Sequence, residues 1–140
     1  MAIDFLECCD LLERCYEFLL GYAALGVPGD EASSAGAQVR TQLQQAWEAL
    51  NGLAESCRQA ITDQQLEPAT KYQGFCSILE RDARDSAAVI ELVLAQPSIS
   101  SQLVDNLNAS SHLRALLTDL FVFGEILRTR PKLGVVAEAR

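Results

Sequence analysis

Residues 3–25 read IDFLECCDLLERCYEFLLGYAAL, and the spacing within them decides the fold. Phe5, Cys8, Leu12, Cys15, Leu19 and Tyr22 recur at intervals of three and four. Glu7, Asp10, Arg14 and Glu17 fall on the opposite side. A stripe of that period is an amphipathic α-helix, with one side toward a core and one toward water. Gly26-Val-Pro-Gly-Asp30 ends it, because glycine tolerates a left-handed cap and proline cannot continue a helix.

The same period runs through the rest of the chain. A second helix is expected to start between Glu31 and Ala37 and to run to about Gln64, with Val39, Leu43, Ala46, Leu50, Leu53, Cys57 and Ala60 inward. Residues 26–36 between them read as a solvated connector, long for a bundle. Pro68 suits the first turn of a third helix, which carries Tyr72, Cys76, Leu79, Ala83, Ser86, Ile90 and Val93 inward. Pro97-Ser98 ends it, with Ser98 the expected N-cap of a fourth helix from about Ile99 to Arg130. Within that helix, Asn106-Leu-Asn-Ala-Ser-Ser111 is a poor helix former, because short polar side chains compete for backbone hydrogen bonds. A kink or break is expected over 106–111, with Ser110 or Ser111 capping the helical segment on its C-terminal side.

Short connections between long helices make neighbours antiparallel. The predicted fold is therefore all-α, an antiparallel up-down four-helix bundle over residues 1–131, followed by a C-terminal tail, 132–140. Charge points the same way. Residues 1–35 carry seven acids and one base, whereas residues 98–140 carry four acids and five bases. In this topology Asp4, Glu7 and Asp10 would meet Arg128, Arg130 and Lys132, each sign beside the helix end it suits.

Composition excludes several functions. At 49% hydrophobic the chain is too apolar to be disordered, and at a formal charge of -8 it is too acidic to neutralise nucleic-acid phosphates. The longest apolar run, Phe18–Val27, is half of what a membrane span needs, roughly 20 residues. The first residues carry acid where a secretory signal carries base. A cytoplasmic location is expected, and five cysteines, an odd number, favour reduced thiols there.

No catalytic constellation is legible. His112 is the single histidine, so neither a histidine zinc site nor a di-iron bundle centre can be built. Phosphate-binding glycine loops are absent from the sequence. Acid pairs fall on polar helix faces, where nothing would raise their pKa. No catalytic residue, cofactor or metal is therefore expected. Cys8, Cys9, Cys57 and Cys76 fall toward one end of the expected bundle, and small-ligand or soft-metal binding at that end is the alternative to plain core packing.

The remaining signal is surplus apolar surface. The wet stripe of the fourth helix reads Arg114, Thr118, Phe121, Glu125, Arg128, with Phe121 where a polar residue belongs. Leu116, Leu117, Leu120, Val122, Phe123, Ile126 and Leu127 leave that helix apolar nearly all round. Phe18, Leu20 and Leu25 give the first helix the same trait. Such surface is covered by something. The expected function is that of a non-enzymatic interaction protein with a protein partner or a second copy as a homodimer. Phe18, Leu20, Phe121, Val122 and Phe123 are its candidate interface. In size and charge the chain resembles small acidic helical export chaperones and adaptors, which cover amphipathic segments of their clients.

Overall fold

A computed structural model describes residues 4–31 and 33–130. Their regular structure is all α-helix, with no strand among them. The five helices are α1 (Phe5–Leu25), α2 (Gly36–Asp63), α3 (Ala69–Leu94), α4 (Ser101–Ala109) and α5 (Ser111–Thr129). The inward stripes of α1 and α2 are buried as their spacing requires, and that of α3 is buried except for half-buried Tyr72. Gly26, at φ 67°, supplies the left-handed cap of α1.

The fourth predicted helix is two helices. α4 ends at Ala109, and the Ser110 hydroxyl accepts the backbone N–H of Leu113 as the N-cap of α5. The cap at the start of α4 lies two residues beyond the expected Ser98. Ser100 takes that role by accepting from Leu103, while Ser98 donates to Glu31 instead. Pro131 and the tail 132–140 lie outside the described residues.

α1 packs on α2, α4 and α5; α3 packs on α2, α4 and α5. One continuous apolar core results, with Tyr22, Phe5 and Phe123 its largest fully buried side chains. The end of α5 lies beside the start of α1, where Arg128 pairs with Asp10 at 3.4 Å. Both side chains are largely exposed, so the pair adds well under about 1 kcal/mol. Its sign pattern is the one the uneven charge of the chain requires. Lys132 falls outside the described residues. No described helix is long and apolar enough to cross a membrane.

Cys57 and Cys76 depart from the expectation of reduced thiols: their sulfurs are bonded. Both occupy inward positions of consecutive helices, about two turns either side of the 64–68 connection. That register brings their Cα atoms to 6.3 Å, inside the span of roughly 4.4–6.8 Å that a disulfide bridges.

Candidate functional site

The five candidate interface residues separate into different environments. Phe121 and Val122 stand out of α5, 54% and 49% exposed. Leu20 is exposed on α1. Phe18 is half-buried, its ring parallel to that of Tyr22 with centroids 6.4 Å apart. Phe123 is 1% exposed and forms the centre of an aromatic cluster. Its ring meets Phe5 edge-on at 5.0 Å, Phe75 at 5.3 Å and Tyr72 at 6.1 Å. Phe123 is therefore a core side chain that reaches the surface only as part of a pocket wall. α5 is apolar on most sides because three other helices pack on it, so Leu113, Leu116, Leu117, Leu120, Phe123 and Leu127 all turn inward. The residues left over are Phe121, Val122 and Ile126.

Those residues do not stand alone. On the seam between α3 and α5 lies an open pocket of about 270 Å³, walled by Tyr72, Phe75, Val122, Phe123 and Ile126, with Pro68 and Lys71 at the α3 end. Among the described residues, Lys71 is the one charged residue lining it. Ile78, one turn along α3 from Phe75, is half exposed and extends the apolar strip. The sequence alone points to Val122 and Ile126 but not to their α3 counterparts, because Phe75 and Ile78 sit on the flank of a stripe that is otherwise buried.

Further along the same seam, Asp119 of α5 faces Asp82 of α3. Both are half-buried, and the Oδ2 atom of Asp119 is enclosed without a hydrogen-bond partner. Burial, and then the Asp82 carboxyl beside it, push Asp119 up to about 7. Here the sequence expectation fails. These acids do not lie on open polar faces, because α3 and α5 close over them.

The cysteines are packed into the core. Cys8, Cys9 and Cys15 are buried free thiols. Burial pushes all three up, Cys9 to about 12 against the opposing pull of Arg128, so they stay protonated at neutral pH. Among the described residues, no group of three or more His, Cys, Asp or Glu side chains is placed to hold a metal. His112 is exposed; its backbone carbonyl accepts from buried Ser86. Trp47 is half-buried between α2 and α3, and its indole N–H donates to Glu91 at 3.1 Å.

The connector between α1 and α2 is more than a solvated link. Asp30 accepts from Arg40 Nε at 2.7 Å through one oxygen and from the Ile99 backbone N–H at 2.7 Å through the other. The Arg40 guanidinium also donates to the carbonyls of Leu94 and Gln96, which close the C-terminal end of α3. One acid and one base thus tie the starts of α2 and α4 to the end of α3. They are ten residues apart in sequence, and no local motif marks them.

Compared with protein-family models, with curated proteins and with solved structures, the chain matches none. Its function must be read from its own surface.

Proposed function

We propose that the protein is a non-enzymatic interaction module, adaptor- or chaperone-like, that seats an amphipathic helix of a partner on the α3–α5 seam. The observation that carries this reading is the open apolar pocket between Phe75, Val122 and Ile126, with Ile78 and Phe121 exposed on the flanking helix surfaces. Water-exposed apolar surface that recurs on neighbouring helices favours a partner that removes it from water. At about 270 Å³ the pocket lies just below the range of small-molecule sites, roughly 300–1,000 Å³. A large apolar side chain fits that volume better than a whole cofactor does. Lys71 at the rim selects a partner helix with a carboxylate beside its apolar anchor. The helices are read as an antiparallel up-down bundle whose fourth arm is broken at Ser110, a reading that the Arg128–Asp10 pair supports.

The test uses a synthetic helical peptide with leucine anchors flanked by glutamate, and its lysine-flanked twin. The glutamate peptide is expected to shift the methyl NMR signals of Val122, Ile126 and Ile78, and Val122→Asp to abolish that shift with helicity unchanged. Shifts confined to another face, or equal binding of the lysine peptide, would overturn the assignment. A second copy of the chain is the competing occupant. Light scattering that shows a dimer lost in Val122→Asp would favour it.

A further inference from the structure

Asp82 and Asp119 set two half-buried carboxyls side by side on the α3–α5 seam. α3 and α5 each contribute one carboxyl, and the enclosed Oδ2 of Asp119 has no donor other than a proton to satisfy it. An enclosed carboxylate beside a second carboxyl ionises at a cost, so a proton held on Asp119 and turned toward Asp82 is the low-energy state. The helices α1 and α4 also pack on α5, yet the influences on Asp119 are its burial and Asp82 alone. Arg128 is engaged with Asp10, and Lys71 lies at the pocket end of the seam. No described cation is therefore among the influences on Asp119.

Its position ties it to the apolar patch. Val122 and Phe123 follow Asp119 by three and four residues, and Ile78 precedes Asp82 by four, so pocket wall and carboxyls share adjacent turns of the same two helices. We propose that Asp82 and Asp119 form a proton-operated latch on the α3–α5 seam: sharing one proton holds the two helices together and keeps the pocket formed, and losing it to water makes the carboxylates repel and loosens the seam beside Ile78 and Val122. The consequence for docking rests on the seam being the partner surface; the latch itself does not, and it can be tested without a partner.

Asp119 holds its proton in the fold at a pH where the unfolded chain has lost it. The stabilisation is thus complete below about pH 4, the unfolded value, and lost as pH rises through the folded value. Over that window one retained proton raises the unfolding constant up to tenfold per pH unit.

The experiment is urea unfolding of the intact chain from pH 5 to 8, for the wild type, Asp119→Asn and Asp82→Asn. The wild type is expected to lose stability with rising pH. Asp119→Asn, which replaces the shared proton with a permanent donor, is expected to remove most of that slope and to exceed the wild type at pH 8. Carbon-13 titration of the aspartate carboxyls in the wild type gives a reading that needs no variant. A carboxyl that titrates near neutral, with the Ile78 and Val122 methyls moving at the same midpoint, supports the latch. A titration of Asp119 near 4, or an unchanged slope in Asp119→Asn, overturns it. If the glutamate peptide binds with no pH dependence while the carboxyl titrates near neutral, the gating of docking fails and the docking surface stands. If no peptide binds at any pH, the docking reading fails and the latch is judged on the titration alone.

Discussion

The Tyr22 hydroxyl donates to the carbonyl oxygen of Ile99 at 2.7 Å, joining the last turn of α1 to the segment before α4 across 77 residues of sequence. Ser101 completes the joint. Its hydroxyl donates to the Tyr22 carbonyl at 2.6 Å and accepts the Val27 N–H at 2.9 Å, while its own N–H donates to the Val27 carbonyl. Ser101 is buried, and its removal would leave the buried Tyr22 carbonyl and the part-buried Val27 N–H without this partner. Ser101→Ala is expected to cost about 2–3 kcal/mol, because one buried and one part-buried backbone group lose this partner at once. Tyr22→Phe leaves one carbonyl short and should cost about 1 kcal/mol. Urea unfolding at constant pH measures both; equal losses would show that the serine is not the hub.

Asp30 gives the fold an acid sensitivity with a definite sign. The bond from Arg40, followed by the Ile99 N–H, holds its carboxyl below the usual aspartate value. A carboxyl lowered in the fold contributes stability above its unfolded pKa, near 4, and loses it as pH falls through the lower folded value. Asp30→Asn is therefore expected to be less stable than the wild type at pH 7 and to show a shallower loss below pH 4. Arg40→Lys should resemble it, since an ammonium cannot span Asp30 and the two carbonyls of the α3 end as a guanidinium does. Acid titration of helicity in the three proteins reads the difference.

The α4–α5 break depends on one side chain. Ser110 caps α5 with its hydroxyl, and its own backbone, at φ -62° and ψ 142°, stands outside either helix. Ser110→Ala is expected to cost about 1 kcal/mol, the usual worth of an N-cap serine. Ser111→Ala, inside the first turn of α5 and exposed, should change stability by less than about 0.5 kcal/mol. Thermal unfolding of the pair separates them; equal losses would show that the hydroxyl at 110 does not act as a cap.

Helix positions were legible because period and caps are local. The break at Ser110 stems from a run of short polar residues, and the Asp10–Arg128 contact from the uneven charge of the two chain ends. What the sequence hides depends on which helices meet. Phe123 and Val122 are adjacent and equally apolar, yet only the packing of Phe5, Tyr72 and Phe75 decides that one is core and the other surface. Asp82 and Asp119 each look like an ordinary exposed acid within their own helix, and only the α3–α5 contact makes them a pair. The Cys57–Cys76 bond likewise needs the register of α2 against α3, which no count of cysteines supplies.

The contrast between Phe123 and Phe121 is the sharpest check on how α5 is turned. Phe123 fills the centre of the aromatic cluster, and no space opens around it without loss of contacts to three rings. Phe123→Ala is expected to cost about 3–5 kcal/mol, the combined loss of apolar transfer and of packing around the cavity left behind. Phe121 is more than half exposed, so Phe121→Ala should change stability by less than about 1 kcal/mol in the isolated chain. A helix turned by half a rotation would exchange the two values, because residues two apart on a helix point to nearly opposite sides. Denaturation of both variants therefore fixes the orientation of α5. A large loss for Phe121→Ala would place Phe121 in the core and remove it from the surface that flanks the α3–α5 seam.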